Sequence, residues 1–272
     1  MPAAGSPLLR YMVVLVVVVL WMTVGWLLRL NANAYLLFGV PLLALFQVFV
    51  ARRPITELWM RPAARWTLPN WGYAVAAAFM IAPAFGLLKS WGHAGWSVRL
   101  WYMCVIAGAL PLALTLTRVS RPVLRSLWLC LGTAGVLGVL LMVSTAVARH
   151  RLDSLGVEHV WSGCRQFLIY LPVGFVLEEV FFRGGMDSYL YRPGDRWPWL
   201  SAAFVSVLWG LWHLPISGAH TPMQVTVFLV FVPATHCLVG IPFSLFWRQS
   251  GSLLVPASVH AFIDSVRNAL LY

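Results

Sequence analysis

The sequence predicts an all-α fold, a polytopic transmembrane helical bundle of about eight or nine spans, and three observations carry that reading. Of 272 residues, 61% are hydrophobic and only 10% charged, against roughly 45–50% and 25% in soluble domains. Apolar runs close to the roughly 20 residues that span a bilayer recur along the whole chain. The short segments between them are rich in arginine, as the loops of membrane proteins are.

In chain order, the first run covers Tyr11 to Leu28. Arg10 before it and Ala32-Asn33-Ala34 after it imitate a signal peptide. The run is longer than the usual apolar region of about 7–15 residues, and Arg29 precedes the small residues, so an uncleaved span is expected. The second run, Ala34 to Ala51, ends at a basic loop holding Arg52, Arg53, Arg61 and Arg65. Further spans are expected near Trp71 to Leu88, Leu100 to Thr117, Leu127 to Val147, Gln166 to Leu190, Trp199 to Ile216, Val225 to Trp247 and Ser252 to Leu271. Pro233 and Pro242 place a break or kink in the eighth. Tryptophans such as Trp26, Trp71 and Trp96 fall near span ends, where an amphipathic ring is favoured. The small residues of Gly132-Thr133-Ala134-Gly135 allow close helix packing. Residues 1–165 thus form five spans with few intramembrane charges, and residues 166–272 form the part in which polar groups enter the membrane.

The formal charge is +11. Because the arginines sit in loops between apolar runs, bilayer topology and anionic lipid account for them and nucleic-acid binding is excluded. With the N-terminus inside, alternation puts Arg10, Arg52, Arg53, Arg61, Arg65, Arg118, Arg121, Arg125, Arg192, Arg196 and Arg248 on the cytoplasmic side. Arg29, Lys89, Arg99, Arg149, Arg151 and Arg165 fall on the other, eleven against six. The four cysteines show no C-x-x-C spacing and read as small buried hydrophobes.

Of eight acidic residues, Glu57, Asp153, Glu158, Asp187 and Asp195 read as helix-end or loop residues, whereas Glu178, Glu179 and Asp264 lie inside apolar runs. A charge near the bilayer centre costs at least about 2.5–3.5 kcal/mol, so these three mark a functional site. Glu179 and Arg183, four apart, meet on one helix face, while Glu178 points about 100° away. The spacing therefore gives Glu179 to structure and Glu178 to chemistry; the competing reading has both glutamates holding Arg183. Trp209-Gly210-Leu211-Trp212-His213 adds a histidine in an aromatic helix, with Gly210 allowing close approach. His260 and Asp264 share a face four residues apart. His236 reads as a helix–helix hydrogen bond, and Arg267 and Asn268 as helix-end residues.

In these residues the chain resembles the CPBP family, the CAAX proteases and bacteriocin-processing (Abi) enzymes that include the Ras-converting endopeptidases. The Glu-Glu-x-x-x-Arg motif falls on Glu178, Glu179 and Arg183, the aromatic-x-x-x-His motif on Trp209 and His213, and the His-x-x-x-Asn/Asp motif on His260 and Asp264. Trp209 stands where the family usually has Phe, and Asp264 where it often has Asn; an ionised Asp cannot donate to an oxyanion. The resemblance covers about Gln166 to Tyr272 and implies an active site between the C-terminal helices. It implies peptide-bond hydrolysis within the membrane, with Glu178 as the base that activates water, His213 orienting it, His260 and Asp264 at the oxyanion, and Glu179, Arg183 and Trp209 supporting the site. It implies a membrane-associated protein or peptide substrate and no cofactor. The alternative is a zinc enzyme with His213, His260 and Glu179 as ligands. A proton-coupled transporter and a non-catalytic scaffold are the readings from other classes. The 18 arginines against one lysine point to a GC-rich bacterial genome, hence to an inner-membrane protein whose native targets are not prenylated.

Overall fold

The computed structural model describes residues 6–93, 95–150 and 156–271. Arg151 and Asp153 lie outside the described residues. Within them the chain forms ten helices of eight residues or more, with one isolated bridge between Met60 and Ser252 and no strand. They are α1 (Pro7–Leu27), α2 (Ala32–Ala51), α3 (Asn70–Ser90), α4 (Trp96–Leu116), α5 (Arg121–Ala148), α6 (Val157–Val173), α7 (residues 178–190), α8 (Pro198–Trp212), α9 (Pro222–Ser250) and α10 (Leu254–Leu271). Seven of them, α1 to α5, α8 and α9, are long and apolar enough to cross a membrane. A break shortens α7, and His260, Asp264, Arg267 and Asn268 dilute the apolar character of α10.

The span expected from Gln166 to Leu190 is not one helix. α6 ends at Val173, residues 174–177 turn, and α7 begins at Glu178. Pro172 brings no N–H and Gly174 no Cβ, and both ease the turn. Ala257 of α10 packs where a Gly174 side chain would stand, 3.3 Å away, and the Trp59 indole donates to the Phe175 carbonyl at 2.7 Å. The break sets Glu178 and Glu179 in the first turn of a new helix, where exposed N–H groups favour negative charge. From Val180 to Asp187 that helix is wound as a π-helix.

α9, by contrast, runs unbroken through Pro233 and Pro242 for 29 residues. A capping box of Thr221 and Gln224 starts it. Gly251, at φ 64°, ends it in the left-handed conformation that glycine tolerates best.

The N-terminal helices brace the C-terminal ones through one apolar core. Trp21 of α1, Tyr35 of α2, Phe181 and Phe182 of α7 and Trp212 of α8 are all buried against each other. Within that cluster the Trp21 indole donates to the Tyr35 carbonyl at 2.8 Å, and the Tyr35 hydroxyl to the Trp212 carbonyl at 2.7 Å. The end of α8, and with it His213, is thereby fixed by helices that carry no motif. α3 packs chiefly on α4, and α4 reaches α6 where Gly108 lets the Pro172 backbone approach.

Asp187, expected at a helix end or loop, is wholly buried. Its carboxylate takes a forked ion pair from Arg248 of α9, Nη2 to Oδ1 at 2.6 Å and Nε to Oδ2 at 2.9 Å.

Candidate active site

The three motifs converge on one cavity of about 640 Å³, of the size that takes small molecules or a stretch of peptide. Its polar residues include Glu178, Trp209, His213, His236, His260, Asp264 and Arg267; Leu36, Trp101, Phe228, Val232 and Phe243 are among its apolar walls.

The two glutamates are divided as their 100° offset predicts. Glu179 and Arg183 are fully buried, and Arg183 Nε lies 3.4 Å from Glu179 Oε2. The same guanidinium donates to Ser244 Oγ at 3.2 Å and lies over the Trp209 ring at 4.9 Å, a cation–π contact that offsets part of its burial. Gly240 leaves room for it: a Cβ there would stand 2.9 Å from Arg183 Nη2. The other oxygen of Glu179, Oε1, accepts from His260 Nδ1 at 2.9 Å. This glutamate is therefore committed to holding α7 and α10 together.

Glu178 is partly exposed and faces the cavity. Its Oε2 accepts from Trp209 Nε1 at 2.7 Å and lies 3.7 Å from His213 Nε2. His213 Nδ1 lies 2.9 Å from the Trp209 carbonyl. A carbonyl can only accept, so Nδ1 carries the proton and Nε2 is the nitrogen presented to Glu178. Trp209, expected only to pack, donates to the central carboxylate, which the family's Phe cannot do.

His260 lies between two carboxylates, with Asp264 Oδ2 at 3.6 Å from Nε2, and Asp264 is paired in turn with Arg267 at 2.8 Å. Arg267, expected at a helix end, thus belongs to the cavity wall. A side space of about 30 Å³ touches Glu178, His260 and Asp264 beside Gly174. A cavity of ~10–15 Å³ already admits a water molecule.

His236 also lines the cavity. Its bond is to its own helix, Nδ1 to the Val232 carbonyl at 2.8 Å, and not to another helix as expected. Its ring stands edge-on to Trp209, centroids 4.5 Å apart, and 4.7 Å from His213. The signal for it was present: it is a histidine inside an apolar run, as is His213.

Gly210 makes this packing achievable. A Cβ there would stand 2.6 Å from Pro233 Cα and 2.9 Å from Pro233 N, both backbone atoms that cannot move aside. Gly210→Ala is expected to cost about 1–3 kcal/mol by overpacking, read as a lowered thermal midpoint in detergent.

For zinc, the candidate ligands are partly engaged. Glu179 is taken by Arg183 and His260, and His260 by Glu179 and Asp264, whereas Nε2 of His213 stays open, its Nδ1 being bonded to a carbonyl as in many metal-binding histidines. Among the described residues no three His, Cys, Asp or Glu side chains are grouped to hold a metal ion.

Residues 160–266 match the family described as type II CAAX prenyl endopeptidase Rce1-like. This bears out the likeness to the CAAX proteases read from the motifs. The Rce1-like segment begins in α6, ends in α10 and contains every motif residue. The apolar helices and this likeness fit an integral, multi-pass membrane protein. Neither the curated proteins nor the solved structures give a match.

Proposed function

We propose that the chain is an intramembrane endopeptidase in which Glu178 activates water against a peptide bond of a membrane-associated protein or peptide. The observation that carries this is the split between the glutamates: Glu179 is sequestered on Arg183 and His260, while Glu178 sits at the cavity wall beside His213 and a water-sized space.

In this reading Glu178 takes a proton from water as the water oxygen bonds to the scissile carbonyl carbon. Negative charge moves to the carbonyl oxygen, where His260 donates from Nε2, with Asp264 accepting from that nitrogen when it is not so engaged. On collapse the C–N bond breaks and the proton passes to the leaving amine. The Trp209 indole N–H holds the Glu178 carboxylate in place, and His213 Nε2, the ring nitrogen left as an acceptor, orients the attacking water. Residues 166–272 supply the catalytic core and residues 1–165 its housing, through Tyr35 and Trp21.

Trp209→Phe tests the positioning role, because it keeps an aromatic ring and removes the indole donor. A hydrogen bond to a charged group contributes about 1.5–3 kcal/mol, so kcat is expected to fall roughly ten- to hundredfold with KM little changed. An unchanged kcat would make Trp209 a packing residue.

The proposal is tested with the purified protein in detergent on a panel of membrane-tethered peptides, each with and without a strong chelator. Cleavage that the chelator spares supports the metal-free mechanism. Loss with chelator and rescue by zinc would move His213 and His260 to a metal.

A further inference from the structure

We infer that the catalytic cavity opens on the non-cytoplasmic side of the membrane, so that its substrates are peptide bonds of exported, membrane-anchored chains. The substrate class rests on the endopeptidase reading; the sidedness does not.

One end of the bundle is marked by contacts between arginines and chain ends. Arg10 donates to the Tyr189 carbonyl, Arg53 to the Ser188 carbonyl and Arg118 to the Arg65 carbonyl, and the Arg61 N–H donates to the Gly251 carbonyl. Arg248 holds Asp187. These bonds bring to one end the start of α1, the finish of α2, the segment after it, the finish of α7, the turn between α9 and α10, and the finish of α4. Arg52, Arg121, Arg125, Arg192 and Arg196 adjoin these same chain ends.

The catalytic groups lie at mid-depth or beyond, measured from that end. His213 follows Pro198 by 15 residues, about 22 Å at 1.5 Å per helical residue; Glu178 precedes Leu190 by 12, a shorter rise because most of them are wound as a π-helix, and His260 follows Leu254 by 6, about 9 Å. The cavity then continues away from it, past Ala32, Ile216, Ser217 and Arg267. Toward the cavity end lie Arg29, Lys89, Arg99, Arg149, Arg165 and Arg267, and the loop beside the mouth, residues 214–221, has no Lys or Arg. Among the described residues the division is eleven against six.

Short cytoplasmic loops carry the excess of Lys and Arg, and acidic residues count for little in that bias. The arginine-rich end is therefore cytoplasmic and the cavity mouth faces away. A prenylated carboxyl terminus at the cytoplasmic surface would meet the arginine-rich end, away from the mouth of the cavity that holds Glu178.

The test is cysteine accessibility in right-side-out membrane vesicles, with the four native cysteines replaced by serine or alanine. Arg196→Cys reports the arginine-rich end and His220→Cys the cavity end. A membrane-impermeant maleimide is expected to label His220→Cys in intact vesicles and Arg196→Cys only after detergent is added. The reverse pattern, or equal labelling of both before detergent, would overturn the inference. The same vesicles then receive a peptide anchored in the outer leaflet. Its cleavage supports the substrate class. The expected labelling without cleavage of that peptide, when detergent-solubilised protein does cut it, would overturn the class. Absence of cleavage in both settings would count against the endopeptidase reading and leave the measured sidedness standing.

Discussion

Glu178→Gln is expected to lower kcat for peptide hydrolysis by about 10²–10⁴-fold, the span associated with a positioned general base. The amide is nearly isosteric with the carboxylate, and its oxygen can still accept the Trp209 indole N–H that holds Glu178 Oε2 at 2.7 Å. The fold should therefore be unchanged, and KM with it, because the substitution removes only the capacity to take a proton. Glu179→Gln is a different lesion: it strips charge from a buried group tied to Arg183 and His260. Leaving an uncompensated charge in a protein interior costs about 3–5 kcal/mol, so that variant should lose stability along with activity. Steady-state kinetics beside thermal unfolding separates the two. Equal instability in both variants would contradict the division of labour between neighbouring glutamates.

The second large effect is expected far from the cavity. Asp187→Ala should destabilise the bundle by about 3–5 kcal/mol, because it leaves the Arg248 guanidinium buried without its partner. The pair is forked and nearly dry, with side chains 0% and 4% exposed. Arg248 also bonds Ser201 Oγ at 2.9 Å and lies over the Tyr191 ring, so α7, α8 and α9 are all tied at this point. Replacing both members, Asp187→Leu with Arg248→Met, should recover most of the loss, since apolar isosteres of a buried ion pair are often neutral. Denaturant unfolding in detergent checks both. A single variant that loses less than about 1 kcal/mol would show that the pair behaves like an exposed one.

Much of this site was legible in the sequence because its signals are local. Glu179 and Arg183 are four apart and do pair; Glu178, offset by one residue, does turn to the cavity. His213, His260 and Asp264 stand out as polar groups where a bilayer penalises them. What escaped was set by long-range packing or by competing local signals. The break at residues 174–177 is announced by Pro172 and Gly174, but the uninterrupted apolar run masked it. Asp187 and Arg248 are 61 residues apart, and no spacing rule links them. The Trp209 bond to Glu178 is invisible when an aromatic residue is read only as an apolar one, and His236, singled out in the sequence, has no second polar residue in register to assign it to the cavity. The prolines of α9 do not break it, since one 29-residue helix contains both.

The most direct test of the central claim is a single turnover in H₂¹⁸O with a membrane-tethered peptide and excess enzyme, followed by mass analysis of the new carboxyl terminus and of the enzyme peptide containing Glu178. Water activated by Glu178 predicts one solvent oxygen in the product and none in the enzyme. An unlabelled product with ¹⁸O in Glu178 would mean that the carboxylate attacks the carbonyl itself, and would contradict the mechanism.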